Sequence, residues 1–488
     1  MTENAGTPQP DHLPSEPAAQ GEGPQRKGGL FGCLVKIFLL LALLLVAIVA
    51  WYFISKANAD DRFNDYIKQQ TEDGVVLSID QVVDSDYSAK RADLDTTTEW
   101  QNSIEFFNSQ ETITRLQEFP KFGNLSTYSW PPTEWRQFEN AAQLMEDFKK
   151  PLIELQFATA GFAFWSEEDL QQNTLSPEAL QGLNRALEFM VLSCFVAAHQ
   201  EDQDQLVIRL LACLGFSRSL AQHPGFITLS LELDRQAIQL LMSAVAKVNF
   251  READLVKFRD RLLELDYWPR FASDWDFQRA MRLLMYNDPE RFQSTYLYRE
   301  MQALPAFEEF LKNLPFQMEY SPFSGDDAVR FLQLMSERKA LFSGDFFAAA
   351  DELAELEEAG DVTLEGWDQY RYPTASAMVP EISQQIREAG RGEVYRNVAL
   401  GMLAVDQFRV REGALPKSLS EAVRGFLVEE PIDAYVGKPL KFSNKSPTVL
   451  VSSLGPNQVN NLGGKDDIGI AIPLKKWDPA AEPIDQLD

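Results

Sequence analysis

Apolar residues through the middle of the chain, from about position 134 to 412, recur every three or four positions. This spacing places them on one face of an α-helix and predicts a series of amphipathic helices. The clearest beginning is Ser176 followed by Pro177, a capping residue and a proline suited to the first helical turn. That helix is expected to end near His199. Its apolar face consists of Leu180, Leu183, Leu187, Met190 and Cys194.

The pattern predicts three further helices, at about 206–221, at about 226–248 and from after Asn249 to Trp268-Pro269. The polar residues 200–204 form the first turn between them. An earlier helix is expected to be capped by Thr133 and interrupted at Pro151. Short loops between consecutive helices imply antiparallel neighbours, so the sequence predicts an antiparallel helical-hairpin array.

The N-terminal part has a different pattern, because Ile37 to Ile54 is apolar throughout and contains no charged residue. A helix of this length reaches roughly 27 Å, about the thickness of the hydrocarbon layer. Trp51 and Tyr52 lie at its far end, where aromatic residues meet the membrane interface. The run therefore predicts a transmembrane helix whose partner is the lipid bilayer.

The distribution of charged residues predicts the orientation of this helix in the membrane. The whole chain has a net charge of −28, but the four acids and four bases before Asp60 cancel, so the excess lies entirely after the apolar run. Arg26, Lys27 and Lys36 precede the run, and positive residues stay on the cytoplasmic side. We expect a single-pass bacterial inner-membrane protein with a cytoplasmic N-terminus and its bulk in the periplasm.

A cleaved signal sequence is the alternative to a permanent anchor. Ala57 to Ala59 fits the small-x-small pattern of a signal-peptidase site. The apolar run is longer than the usual hydrophobic region of a signal peptide and follows an unusually long N-terminal region. The sequence therefore favours an uncleaved anchor.

After Gly413 the helical period gives way to short strands, predicted at 439–442, 448–451 and 468–472. A further strand could lie at 74–79. The fold class is thus mainly α, with a small C-terminal α+β module. The predicted organisation is a disordered cytoplasmic tail (1–29), a transmembrane anchor (30–55), a linker with local structure (56–132), an α-helical domain (133–392), a helix plus β-module (393–478) and a flexible tail (479–488).

The C-terminal module carries three motifs in a fixed order. They are Glu412-Gly413-Ala414-Leu415-Pro416-Lys417-Ser418 at the end of a helix, Asp433-Ala434-Tyr435-Val436-Gly437-Lys438-Pro439 in a hairpin, and Ser453-Leu454-Gly455-Pro456-Asn457 followed by Gly463-Gly464-Lys465-Asp466-Asp467-Ile468. This order resembles the C-terminal part of the major pseudopilin of type II secretion systems, in which the last loop binds calcium.

The resemblance implies that calcium would be held by Asp466 and Asp467 through carboxylates, by Asn457 through its side-chain oxygen and by Leu454 through its main-chain carbonyl. Hard cations prefer such oxygen ligands. The chain departs from the family at its other end, because Ile37 to Ile54 contains no Glu and lies far from the module. It therefore looks unable to be processed and polymerised as a pilin.

The helical middle followed by this module also resembles large single-anchor membrane proteins of undetermined function from planctomycete and verrucomicrobial bacteria. The segment Leu210 to Leu241, which includes Leu220-Ala221-Gln222-His223-Pro224, carries this looser likeness. The likeness implies an architecture and no activity.

Few residues suggest a chemical site. Cys194, His199, Cys213 and His223 lie on neighbouring predicted helices, but their spacing does not match usual metal-ligand pairs, which favours core packing. In an oxidising compartment a Cys194–Cys213 disulfide is the better alternative, since the two positions are nearly symmetric about the turn at 200–204. GxSxG, HExxH and P-loop motifs do not occur.

The sequence thus predicts a non-catalytic scaffold or interaction protein of the cell envelope, with other envelope proteins as partners. The acidic balance argues against nucleic acid as a partner, because phosphate binding needs clustered Lys and Arg. Two alternatives stay open. One is a carboxylate-based envelope hydrolase, since many acids follow the membrane helix, and the other is an accessory component of a type II secretion or pilus-like assembly.

Overall fold

The computed structural model describes residues 29–78, 81, 95–119, 135–163, 177–221, 227–265, 267–288, 290, 293, 321–341, 371–445, 448–455 and 468–473. The chain divides into two units, Met1–Ser55 and Lys56–Asp488. The described residues are mainly helical. Apart from Gly29, the two predicted tails lie outside the described residues.

The helices have the following bounds: α1 (Gly29–Glu72), α2 (Thr97–Asn108), α3 (Gln110–Gln117), α4 (Phe138–Asp147), α5 (Lys149–Ala158), α6 (Pro177–His199), α7 (Gln203–Cys213), α8 (Arg218–Ala221), α9 (Ile227–Val245), α10 (Glu252–Leu263), α11 (Tyr267–Asn287), α12 (Ser324–Leu341), α13 (Pro373–Glu412) and α14 (Leu419–Val423).

The strands form two small antiparallel sheets, as β1 (Ile432–Asp433) with β2 (Lys438–Pro439), and β3 (Lys441–Lys445) with β4 (Thr448–Ser452) and β5 (Gly469–Pro473). The central strand β4 places Val451 opposite Phe442 on one side and Ile470 on the other. Three strands were predicted for the module, and β3, β4 and β5 confirm them with bounds that differ by at most three residues.

In the first unit, the apolar side chains of α1 are exposed. Within the described residues, this is the one helix long and apolar enough to cross a membrane. The prediction of one N-terminal candidate span is confirmed at that level.

In the second unit, α1 begins the packed core. Ala59 is fully buried, and Phe63 and Tyr66 lie half-buried against core residues. The backbone of α12 approaches closely here, because a Cβ placed on Gly325 would lie 2.3 Å from the Ala59 carbonyl oxygen. Arg62 also forms an ion pair with Asp326 at 2.7 Å. These contacts join α1 to α12.

Helices α6 and α7 form the predicted hairpin. Helix α6 begins at Pro177 and ends at His199, as predicted, while the expected cap Ser176 lies outside the described residues. The turn is short because the Asp202 side chain caps α7 by accepting a hydrogen bond from the Gln205 amide at 3.0 Å. Both helices pack closely against each other, and α2 packs on α6.

The helix predicted at 206–221 is two helices, because α7 ends at Cys213 and α8 begins at Arg218. The turn between them lets the backbone at Gly215 approach Thr159, whose carbonyl oxygen would lie 2.2 Å from an added Cβ. Arg218 then donates to the Ala160 carbonyl at 2.8 Å. Close packing against the end of α5 therefore accounts for the break.

Two other expectations were wrong in detail. The interruption predicted at Pro151 falls instead at Phe148, and Pro151 lies in the first turn of α5, where a missing amide hydrogen costs little. Residues 74–78 form no strand, and the expected cap Thr133 lies outside the described residues.

Helices α2 and α3 occupy part of the predicted linker, and Trp100 of α2 is fully buried.

Helix α13 is the longest helix of the second unit among the described residues. It contacts α9, α10, α11 and α12 as well as β1, β4 and β5. It ends at Glu412, where Gly413 adopts a left-handed conformation (φ 67°) and donates to the Arg409 carbonyl. The predicted boundary between the α-helical domain (133–392) and the C-terminal helix plus β-module (393–478) lies inside this helix.

Gly325→Ala should destabilise the second unit by about 2 kcal/mol, because the added methyl group meets the rigid backbone at Ala59. The measurement is thermal unfolding of the detergent-solubilised chain, followed by circular dichroism.

Gly392→Ala is the matched control. Its methyl group would meet the flexible end of Leu231 at 3.2 Å, and a gain in helix propensity of about 1 kcal/mol offsets this contact. Equal effects of the two substitutions would contradict the close packing of α1 on α12.

Candidate functional site

A groove lies between α10, α13 and the segment 425–432, which follows α14. The groove has a volume of about 800 Å³. The buried part of its lining includes Leu400 and Phe426, each 4% exposed, and Asn397. The Asn397 amide donates to the Ile432 carbonyl at 3.0 Å, which fixes the segment 425–432 against α13. The groove therefore brings together residues that are far apart in sequence.

Three large apolar side chains on the groove are exposed. Leu263 is 53% exposed and Ile432 is 40% exposed, while Val428 has the solvent exposure of a residue in an extended chain. Exposed apolar side chains scattered singly are ordinary, but a cluster bordered by polar groups marks an interaction site. All three side chains line the same groove.

Two arginines in the groove lining hold its walls together. Arg259 donates to the Phe426 carbonyl at 2.9 Å and to the Asp260 carboxylate at 2.6 Å, and its guanidinium carbon lies 5.1 Å from the centre of the Phe426 ring. Arg396 donates to the Leu265 carbonyl at 2.5 Å and pairs with Glu393. Both cations are thus occupied by groups of the protein itself.

The two acids of the segment 425–432 are not bound by these arginines. Glu429 is exposed and Glu430 is half-buried, and both line the groove. Across the parts of the chain that the structure describes, neither carboxylate forms an ion pair. The groove consequently presents apolar surface together with uncompensated negative charge.

A buried carboxylate lies elsewhere in the second unit. Asp234 of α9 accepts a hydrogen bond from Arg270 of α11 at 3.0 Å. Burial raises the pKa of Asp234, and the neighbouring Arg270 opposes that shift. Neither residue lines the groove. Glycoside hydrolysis needs two acids on either side of a substrate, whereas Asp234 faces a guanidinium and joins two helices.

The predicted calcium loop is described only at its two ends. Leu454 lies within the described residues, whereas Asn457, Asp466 and Asp467 lie outside them. The Ser453 amide donates to the Ile468 carbonyl at 2.9 Å, so the chain leaves the sheet and returns to it at one point.

A buried side chain, Asp433, fixes the beginning of that loop. Its carboxylate accepts hydrogen bonds from the Leu454 amide at 2.7 Å, the Ser453 hydroxyl at 2.9 Å and the Tyr435 amide at 3.0 Å. It thereby ties the hairpin motif to the first residues of the loop motif. Since Asp433 directly follows Ile432, one short segment supports both the loop and the groove.

The sequence reasoning did not identify the groove residues or the role of Asp433. The apolar run Phe426 to Val428 directly before two acids was the available signal for an exposed interaction segment. Asp433 was quoted as part of a motif, but its partners at 453 and 454 are distant in sequence and only the fold brings them together.

Cys194 and Cys213 lie close together in the core of the hairpin, and His199 packs beside Phe138 with 4.3 Å between ring centres. His223 lies outside the described residues. No group of three or more potential metal-ligating side chains occurs within the described residues. Comparison with known proteins gave no match to a family model, to a curated protein or to a solved structure.

Proposed function

We propose that this protein is a membrane-anchored, non-catalytic scaffold of the bacterial cell envelope, which binds a partner protein through the groove described above. The observation that supports it is the combination, on one groove, of three exposed apolar side chains with two acids, Glu429 and Glu430, that form no ion pair with any described residue.

The chemistry of the groove specifies the partner. Phe426 and Leu400 favour an apolar side chain, since burying one contributes about 1.5–3 kcal/mol. Glu429 and Glu430 favour Lys or Arg beside that apolar residue, because opposite charges at an interface add specificity and raise the association rate. We therefore expect the bound segment to carry an apolar residue flanked by basic residues.

The proposed topology places the N-terminus in the cytoplasm and the second unit in the periplasm. Arg26, Lys27 and Lys36 before the apolar run support this orientation. Retention of the anchor is supported by the burial of Ala59, which lies within α1 and against α12. Ala59 thus contributes to the core as a residue of a continuous helix.

An accessory role in a type II secretion or pilus-like assembly is the second candidate. The hydrogen bonds of Asp433 to Ser453 and Leu454 favour it, because they join two of the motifs on which the pseudopilin resemblance rests. In this proposal Leu454, Asn457, Asp466 and Asp467 hold a calcium ion that stabilises the module.

The topology predicts that protease added to spheroplasts removes the second unit and protects an epitope tag at the N-terminus. Mass spectrometry of the intact chain should show no cleavage after Ala59. Protection of the second unit, or a mature N-terminus at Asp60, would contradict the proposed anchor.

The groove predicts charge-dependent binding of short peptides. A peptide with a central Leu flanked by Lys should bind the full chain in detergent more tightly than its Glu-flanked analogue. The double variant Glu429→Lys and Glu430→Lys should lower affinity for the basic peptide about 10-fold at low ionic strength, because attraction becomes repulsion. Fluorescence anisotropy of labelled peptides measures both affinities.

Glu111→Lys with Glu118→Lys provides the control, since these acids lie on α3 or directly after it, outside the groove lining. This control variant should bind both peptides as the unmodified chain does. The groove proposal is wrong if the two double variants have the same effect, or if the Glu429 and Glu430 variant keeps its preference for the basic peptide.

The calcium loop predicts that a chelator lowers the thermal stability of the unmodified chain. At a hundredfold excess over the Kd, binding contributes about 2.7 kcal/mol. The double variant Asp466→Ala and Asp467→Ala should be insensitive to chelator, as measured by thermal unfolding.

Glu429→Ala with Glu430→Ala also removes two adjacent acids, but outside the loop, and should retain the response to calcium. If chelator does not change the thermal stability of the unmodified chain, the calcium proposal is wrong. The groove proposal does not depend on this result.

A further inference from the structure

Two cysteine side chains meet inside the hairpin of α6 and α7. Cys194 lies on α6 and Cys213 is the last residue of α7. Their sulfur atoms are 3.9 Å apart, and the two residues are 0% and 1% exposed. Both are free thiols in this structure.

This geometry is close to that of a disulfide. A disulfide bond is about 2.0 Å long, so the sulfurs need to approach by roughly 2 Å. The packing of α6 on α7 holds the two segments in place, and the loop of residues 200–202 between the helices is short. Side-chain rotation of the two cysteines supplies a movement of this size without separating the helices.

We propose that Cys194 and Cys213 are joined by a disulfide bond in the mature protein, formed by a thiol–disulfide oxidoreductase on the outer side of the membrane. The proposal rests on the topology given under the proposed function, because such bonds persist in oxidising compartments and are rare in the cytoplasm.

The reaction proceeds by two exchanges. The thiolate of one cysteine attacks the disulfide of the oxidoreductase, whose first sulfur leaves as a thiolate, and a mixed disulfide forms. The thiolate of the other cysteine then attacks the sulfur of the first cysteine, and the second sulfur of the oxidoreductase leaves. Each cysteine gives up one proton, and two electrons pass to the oxidoreductase, which ends as a dithiol.

Arg209 of α7 donates to the Ser193 carbonyl at 2.5 Å, next to Cys194, and so helps to hold α7 against α6. Burial raises the pKa of Cys213 well above its ordinary value. The bond therefore forms before the hairpin is fully packed, and folding then protects it.

The chain contains three cysteines, and Cys33 serves as an internal reference because it precedes the apolar run. The full chain is extracted from acid-quenched membranes under denaturing conditions with excess N-ethylmaleimide and analysed by mass spectrometry. We expect one adduct, on Cys33, and two more after reduction. Three adducts before reduction would overturn the disulfide.

If the bond is absent from membranes, either the proposed topology or the side-chain geometry is wrong. Refolding of the purified full chain with oxidised glutathione distinguishes these two explanations. A 194–213 bond that forms in glutathione but is absent from membranes would mean that the second unit lies in a reducing compartment, and the proposed topology would fail as well. A bond absent from both samples would mean that the side-chain geometry is wrong, while the proposed topology would stand.

Reduction of the unmodified protein should lower its Tm by roughly 3 °C, because the bond restricts a short loop of the unfolded chain.

Discussion

The burial of α13 between residues 398 and 405 is the constraint on which the rest of the second unit depends. There the side chains are almost completely removed from solvent. A helical stretch that is apolar all round must be covered all round, and α13 packs against α9, α10 and α12 as well as β1, β4 and β5. The small C-terminal sheets therefore stay attached to the helical core through α13, which supplies apolar surface that two short sheets could not supply for themselves.

Small residues on α13 determine how close those neighbours lie. At Gly401 a Cβ would come within 3.1 Å of Val451 Cγ1, so the absence of a side chain lets β4 rest directly on the helix. One turn earlier on α13, the Asn397 amide donates a hydrogen bond to the Ile432 carbonyl. Asp433, which follows Ile432, accepts hydrogen bonds from the first residues of the loop after β4. The groove and the loop are thus placed by successive turns of one helix, and a shift of α13 would displace both.

The sequence predicted those parts of the fold that depend on local patterns. Pro177 and His199 were correct as the ends of α6, and the strands followed from short apolar runs between turn residues. The break at Gly215 was missed because it depends on Thr159, which is distant in sequence. The groove was missed for the same kind of reason. Its apolar lining is ordinary core sequence, and only the fold shows that no cation among the described residues pairs with its two acids.

Arginine side chains explain why the acids are left in that state. Many arginines of the second unit direct donors to main-chain carbonyls of other segments. The pairs are Arg209 with Ser193, Arg218 with Ala160, Arg259 with Phe426, Arg261 with Thr159, Arg279 with Val76 and Arg396 with Leu265. A guanidinium has five donors and suits this use, because it satisfies carbonyls that helices and turns leave without partners. All of these arginines except Arg209 also form an ion pair with an acid, so they connect elements inside the protein and are occupied. Because the chain has 73 acids against 45 bases, acids remain in excess. In the proposed function, the negative charge that repels anionic lipid headgroups also attracts a basic partner to the groove.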